Sequence, residues 1–340
     1  MTEIGLVLQG GGALGAYEYG AVTRLIEAGA RPVAITGVSI GAINAAAIAG
    51  ARDGDIARSL RTLWERITLA PVPFVPAEQQ ATLSALGNPN FYRPRTDYMS
   101  MPNWTSLCDV SPMKRTLSDI LDFERLNDTK RMRMAVTATN VATGALTRFT
   151  NLENTLGPDH ILASGSLPPG FPMTQIDGQH YWDGGLFDNT PLRALMELLT
   201  REEERSLPIV VIDLFPTHAA IPSNLQEAKA RQMEIAFENK YWDEFGGPDG
   251  LIEYAKMIED LDRELPESSS IRKKPAYERL LEYRCMKNLT VIPSPHAPMT
   301  GGMDFSAHGV KSRHDLGYQA ADAFLKDNPG LFGGTTRKAA

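Results

Sequence analysis

The segment VAITGVSIGAINAAAIAG occupies residues 33–50 and carries no charged side chain. Its first four residues predict a buried strand, 33–36, and its alanine-rich second half predicts a helix, Ile40–Ala49, that ends at Gly50. The glycines and polar side chains within the segment argue against a membrane span. We therefore interpret it as a strand and a helix buried inside a folded domain.

The residues upstream of this segment predict the same pair of elements. A short apolar strand at 4–8 is followed by a loop at 10–15 and a helix at 16–28. A third helix, with a charged face, is predicted at 53–69. Alternating strands and helices imply a parallel sheet with helices on both faces, which places the chain in the α/β class with three α/β/α layers.

The composition changes near His218. Before it, further strands are predicted at Arg133–Asn140, 145–150 and 209–215, together with a helix at 111–121 that Ser111 would cap. After it, charged helical segments are predicted at 223–245, 249–264 and 275–286, then a strand at 289–293, a helix at 306–326 and a frayed tail at 333–340. We therefore divide the chain into an α/β domain, 1–217, and a mainly helical extension, 218–340.

Bulk composition restricts the classes of function. The formal net charge of −7 argues against nucleic acid as a partner, because phosphate binding needs a basic surface. The two cysteines, Cys108 and Cys285, lack the spacing of a metal site, and their low number favours a reducing, cytoplasmic location. The first residues lack the basic start of a signal peptide. We expect neither a metal nor a cofactor.

The candidate nucleophile is Ser39, in the sequence Gly37-Val38-Ser39-Ile40-Gly41. This G-x-S-x-G pattern lies between a predicted strand and a predicted helix, the context in which a serine hydroxyl is exposed on a sharp turn. The flanking glycines allow a tight turn and a close approach of neighbouring chains. The first N–H groups of the following helix point at the same place. A capping serine in a structural turn is the alternative interpretation.

The glycine run Gly10-Gly11-Gly12 admits two interpretations. With Gly15 it satisfies the G-x-G-x-x-G pattern of dinucleotide-binding proteins, between a strand and a helix. That pattern requires an acidic residue at the end of the second strand, where this chain has Thr36-Gly37-Val38-Ser39. We therefore favour the other interpretation, in which the N–H groups of Gly10, Gly11 and Gly12 form an oxyanion hole.

The candidate base is Asp183, in Tyr181-Trp182-Asp183-Gly184-Gly185. The two glycines allow the turn to bring this carboxylate against another part of the backbone. A histidine is the alternative base, with His308 and His314 as first candidates, although none of the histidines lies in a recognisable triad motif. These are His160, His180, His218, His296, His308 and His314.

Together these blocks resemble the patatin-like phospholipase family, whose members use a Ser-Asp dyad. The resemblance covers roughly residues 4–216 and rests on four ordered blocks. They are LQGGGALGAY at 8–17, GVSIGAIN at 37–44, ASGSLPPGFP at 163–172 and DGGLFDNTP at 183–191. The resemblance implies a patatin-like sheet, with Ser39 as nucleophile, Asp183 as base and Gly10 to Gly12 as oxyanion donors. Residues 218–340 resemble a C-terminal extension of some bacterial members.

The implied activity is hydrolysis of a lipid or other acyl ester through an acyl-enzyme. Two alternatives remain open at this point, acyl transfer to an acceptor other than water and a non-catalytic lipid-binding module. Many relatives have an arginine where this chain has Leu14, so a preference for anionic head groups is not implied.

Residues 70–109 form the long connection of the chain. They are rich in proline and carry apolar residues that include Phe74, Tyr98, Met99 and Trp104. Connections of this length are commonly either wrapped against the core or used as a flap over a substrate site. We keep both interpretations and regard this connection as the candidate for a peripheral membrane contact.

Overall fold

The computed structural model describes residues 1–199, 202–215, 220–238, 244–294 and 301–331. Within these ranges the chain forms ten strands. The strands are β1 (Thr2–Leu8), β2 (Ala30–Gly37), β3 (Arg93–Pro94), β4 (Cys108–Asp109), β5 (Arg133–Asn140), β6 (Leu146–Thr150), β7 (Thr174–Ile176), β8 (Gln179–Asp183), β9 (Ile209–Ile212) and β10 (Leu289–Ile292).

Helices account for most of the remaining structure in these ranges. They are α1 (Gly15–Glu27), α2 (Ile40–Ala49), α3 (Ile56–Ile67), α4 (Ala77–Gln80), α5 (Ser111–Ile120), α6 (Phe123–Leu126), α7 (Pro158–Ser164), α8 (Leu192–Leu198), α9 (Leu225–Phe237), α10 (Pro248–Glu264), α11 (Pro275–Leu281) and α12 (Ala307–Asp327). Short 3₁₀ turns include Gly12–Leu14, Gly184–Leu186 and Glu282–Asn288.

Eight of the strands form one mixed sheet. Its order is β10-β9-β1-β2-β5-β8-β7, and β6 also pairs with β5. The five strands from β10 to β5 are parallel, whereas β6, β8 and β7 join antiparallel. The expectation of a parallel sheet is thus correct for the first half only. A tight turn at Gly144, with φ of +70°, returns the chain from β5 to β6, and a connection this short can only join antiparallel strands.

Apolar side chains cover both faces of the sheet, so the predicted α/β/α layering is confirmed. On one face, Leu6 and Leu8 of β1 belong to a buried cluster with residues of α1, α2, α3 and α12. On the other face, the intervening Val7 joins a cluster with α8 and α10. Successive residues of a strand point to opposite faces, so a continuous apolar run serves two helical layers at once.

Several predicted boundaries need correction. The helix predicted at 53–69 begins at Ile56, because the Asp55 side chain caps it by accepting the N–H of Arg58. Ser111 does not cap α5 but is its first residue, and its N–H and hydroxyl donate to the carboxylate of Asp109. The helix predicted at 223–245 is α9, which ends at Phe237. The predicted boundary residue His218 and the tail 333–340 lie outside the described residues.

The C-terminal part of the chain contributes to the central sheet. Strand β10 pairs in parallel with β9, from Leu289 opposite Ile209 to Ile292 opposite Ile212. Helix α12 packs along α1, where Arg24 forms an ion pair with Asp322. The division at 217/218 stays a prediction.

The connection 70–109 contains short elements and an exposed projection. Phe91 and Tyr92 are buried in the core, whereas Phe74, Tyr98 and Met99 are exposed. The end of the connection is held against the loop at 169–170, since Leu107 and Cys108 donate their N–H groups to Pro169 and Gly170. Among the described helices, none is both long and apolar enough to cross a membrane.

Candidate active site

Ser39 lies on the turn that joins β2 to α2. Its backbone has φ of +54° and ψ of −124°, a conformation that costs a non-glycine residue on the order of 1–3 kcal/mol. The flanking glycines are required by close contacts. A Cβ atom on Gly41 would lie 2.6 Å from the carbonyl oxygen of Gln9, and one on Gly37 would overlap the backbone of Gly41. This strained turn places the Ser39 side chain in the wall of a cavity.

Asp183 is the last residue of β8, on the antiparallel side of the sheet. It pairs with Ala138 of β5, and its own N–H donates to the carbonyl oxygen of Ser166 at 3.0 Å. The chain turns sharply at Gly184, where a Cβ atom would overlap the carbonyl oxygen of Thr137. The carboxylate of Asp183 accepts the N–H of Gly185 at 2.8 Å. The side chain is thereby fixed and buried.

The structure brings Ser39 and Asp183 together. Burial raises the pKa of Asp183 to about 7, and this rise is limited by hydrogen bonds from the Ser39 side chain and the Gly185 N–H. The causes of this shift include no cationic side chain. The carboxyl group is therefore poised between its charged and neutral forms near neutral pH, and its protonation is coupled to a serine hydroxyl.

The glycine loop lies against the same cavity, and here one expectation must be corrected. The N–H of Gly10 donates to Oδ1 of Asn189 at 3.0 Å, so it is not free to bind an oxyanion. The N–H groups of Gly11 and Gly12 have no acceptor among the described residues, and both glycines line the cavity. Gly12 has φ of +60°, which a residue with a side chain rarely adopts.

A buried hydrogen-bond network supports the loop from below. Glu18 of α1 accepts the N–H of Gln9 at 2.6 Å and Nδ2 of Asn44 at 2.8 Å. Asn44 in turn accepts Nε1 of Trp64 at 2.9 Å, which fixes the orientation of its amide. The network joins the glycine loop to α2, the helix that begins after Ser39. Sequence reasoning did not find these residues, although a charged residue on an otherwise apolar helix face was the available signal.

The cavity around Ser39 has a volume of about 280 Å³ and is mainly apolar. It extends from the half-exposed Met233 and Met303 to the buried Phe91 and Phe305, whose rings meet edge to face at 5.2 Å. Helix α9 provides part of the wall through Phe237, which stacks on Phe215. Such a cavity suits an apolar chain with a single reactive polar group.

The histidines that the structure describes lie away from Asp183 and Ser39. His308 and His314 lie on α12, where His314 packs against Tyr19 and contacts Asp315. His160 accepts the N–H of Gly157 at the start of α7. His218 and His296 lie outside the described residues. No histidine within the described ranges lines the cavity.

In the described part of the chain, we find neither a metal-binding cluster nor a cysteine with a lowered thiol pKa. No group of three histidine, cysteine, aspartate or glutamate side chains there could hold a metal ion. Cys108 and Cys285 are both free, and burial raises the pKa of each thiol, that of Cys285 to about 12.

The fold and the site define an α/β/α protein with a serine on a strand-to-helix turn beside a buried carboxyl group. The sequence model of the Patatin family, described as patatin-like phospholipase, matches residues 6–196, which is more than half of the chain. The chain belongs to this family. Membership supports a lipid acyl hydrolase function and a lipid substrate.

The comparison with solved structures also finds matches. The crystal structure of VipD from Legionella pneumophila is similar, with 16% sequence identity and a TM-score of 0.40. The alignment covers 95% of this chain and 67% of that chain. Curated protein sequences give no match.

Proposed function

We propose that the chain is a serine hydrolase of carboxylic esters that uses Ser39 as nucleophile and Asp183 as base. The observation that carries the proposal is that both residues line one cavity and that the Ser39 side chain lowers the pKa that burial raises at Asp183. A carboxylate is a weak base for a hydroxyl in water, but burial raises its proton affinity. A pKa of about 7 suits a general base that works near neutral pH.

In the first half of the reaction, the Ser39 Oγ attacks the acyl carbonyl carbon while its proton passes to Asp183. The tetrahedral intermediate breaks its bond to the alcohol oxygen, and that oxygen takes the proton from Asp183 as the alcohol leaves. An acyl ester on Ser39 remains. In the second half, water attacks this ester and gives a proton to Asp183, which returns it to Ser39. The carboxylic acid leaves, and the enzyme is regenerated.

The oxyanion of each tetrahedral intermediate is bound by the N–H groups of Gly11 and Gly12. These donors have no acceptor among the described residues and line the cavity. Ile40 begins α2, so its N–H lacks an intrahelical acceptor and adds the positive end of the helix dipole. One donor of this kind is worth roughly 3 kcal/mol of transition-state stabilisation.

The test is covalent labelling with a fluorophosphonate probe, together with hydrolysis of acyl esters of graded chain length. Wild-type protein should be labelled on Ser39 and should hydrolyse the esters. S39A should lose both, and D183N should lose kcat by orders of magnitude while remaining folded. D188N is the matched control, because Asp188 is a partly buried carboxyl group in the same turn, and its raised pKa has no contribution from Ser39. Ester hydrolysis by S39A at the wild-type rate would refute the mechanism.

We also propose a cytoplasmic location and a peripheral lipid contact through 70–109. The exposed apolar residues Phe74, Met99 and Leu107 support that contact, and the free cysteines are compatible with a reducing compartment. Replacing Phe74 and Met99 with serine should weaken liposome flotation while leaving hydrolysis of a dispersed short-chain ester unchanged. Equal flotation of the variant and the wild type would contradict this contact.

A further inference from the structure

Asn189 lies in the sequence Asp183-Gly184-Gly185-Leu186-Phe187-Asp188-Asn189 and has no role in the chemistry above. Its side chain is buried, and all of its amide hydrogen-bonding groups face backbone atoms. Oδ1 accepts the N–H of Gly10 at 3.0 Å. Nδ2 donates to the carbonyl oxygens of Gly10, at 3.2 Å, and of Phe237, at 3.0 Å. The Asn189 side chain therefore connects three segments, which are the turn that follows Asp183, the glycine loop and the end of α9.

The two bonds to Gly10 hold the backbone of the glycine loop at one residue. Because they bind both the N–H and the carbonyl oxygen of Gly10, they fix the orientation of the peptide units on either side. The next two residues, Gly11 and Gly12, line the cavity, and their N–H groups have no acceptor within the described part of the chain. A glycine run has the widest conformational freedom of any sequence, so its donors need an external restraint to keep a fixed direction.

The Asn189 amide packs closely against two glycines. A Cβ atom on Gly10 would lie 2.6 Å from Oδ1 of Asn189 and 2.9 Å from Cβ of Ser39. A Cβ atom on Gly185 would lie 3.0 Å from the same Oδ1. The amide therefore fills the space between the glycine loop and the turn that carries Asp183.

We propose that Asn189 is the positioning residue of the oxyanion hole, an inference that rests on the proposed function. It acts through Gly11 and Gly12, whose N–H groups it aims at the oxyanion. Through Phe237 it also ties the wall formed by α9 to the same loop. Because the oxyanion exists only in the transition state and intermediate, loss of this restraint lowers kcat and leaves KM nearly unchanged.

The experiment compares N189A with N151A, a matched control from elsewhere in the fold. Asn151 has the same exposure as Asn189, 6%, and the same pattern of bonds to backbone atoms. Its Oδ1 accepts the N–H of Met134, and its Nδ2 donates to the carbonyl oxygens of Leu126 and Met132. Each variant loses two hydrogen bonds donated to backbone carbonyl oxygens and one accepted from a backbone N–H. Both substitutions should therefore lower the melting temperature.

Only N189A should lower kcat, by about 10- to 100-fold, together with a similar slowing of fluorophosphonate labelling. All rates are measured below the melting transition of both variants. Equal kcat for N189A and N151A would overturn the inference, and so would a rise in KM without a change in kcat. If N189A does not fold, N189D replaces it, since its carboxylate still accepts the Gly10 N–H but repels the Gly10 carbonyl oxygen. Unchanged kcat in N189D would likewise overturn the inference.

S39A separates this inference from the proposed function. If S39A retains full activity, the proposed mechanism itself is wrong. If S39A is inactive and N189A behaves as N151A does, the mechanism survives and only the role of Asn189 is refuted.

Discussion

At the scale of single residues, Asp183 combines two unusual properties. It is buried, and the causes that shift its pKa include no cation, so burial is the dominant effect and raises that pKa to about 7. Ser39 has a positive φ, which non-glycine residues rarely adopt. Both features cost folding free energy, and both place a reactive group where it is needed.

The raised pKa of Asp183 predicts the pH dependence of activity. As a base, Asp183 must be ionised in the free enzyme, so kcat/KM should increase with pH and level off above about 7. A rate profile from pH 5 to 9 with a neutral acyl ester measures this, because such a substrate does not itself titrate. A profile that is flat down to pH 5 would show that Asp183 has an ordinary pKa or is not the base.

The same pKa predicts a change in stability. The folded-state pKa lies above the ordinary value of 3.8, so the neutral carboxyl stabilises the fold below that value. This contribution is lost as the pH rises towards 7, by roughly 4 kcal/mol in total. Asn carries no charge, so the melting temperature of D183N relative to wild type should increase from pH 4 to pH 8. D119N, at an exposed aspartate, should show no comparable trend.

At the scale of elements, the contact between α1 and α12 depends on two glycines. A Cβ atom on Gly317 of α12 would overlap the carbonyl oxygen of Tyr17, and one on Gly20 of α1 would overlap the carbonyl oxygen of His314. The helices therefore approach backbone to backbone at this crossing. Replacing an exposed helical glycine with alanine usually stabilises a protein by about 1 kcal/mol. Here, however, the neighbouring backbone cannot move aside to accommodate the added methyl group.

G317A should therefore lower the free energy of unfolding by about 1–3 kcal/mol or more, which is the usual cost of adding atoms to a fully packed site. Thermal and urea unfolding of the purified variant measure the change in the free energy of unfolding. G330A is the control, because no described atom lies within 4 Å of the Cβ atom it would add at this exposed glycine. Stabilisation by G317A would mean that the two helices do not cross as closely as the structure shows.

At the scale of the whole molecule, we propose that 1–217 and 218–340 fold as one unit. The edge of β9 pairs with β10, and α12 covers α1, so removal of 218–340 exposes a bare strand edge and an apolar helix face. The fragment 1–217 should therefore be insoluble or aggregate, as measured by expression and sedimentation against the full chain. A fragment that is monomeric, folded and active would show that the first part is an independent domain.

The sequence by itself determined the local structure around the candidate site. Glycine and proline signals and apolar periodicity located α2 and β5 to the residue and placed the turn at Ser39, because these signals act between neighbours in the chain. The two glycines after Asp183 likewise predicted the turn that follows it. The local signals also predicted the layers, since an apolar strand needs a helix on each face.

Only the tertiary structure decided how these pieces meet. It set the antiparallel half of the sheet, the pairing of β10 with β9 and the engagement of the Gly10 N–H by Asn189. It also gathered Glu18, Asn44 and Trp64 beneath the glycine loop. These contacts join residues far apart in the chain, and their partners are selected by packing and by the need to satisfy buried polar groups, which no local pattern encodes.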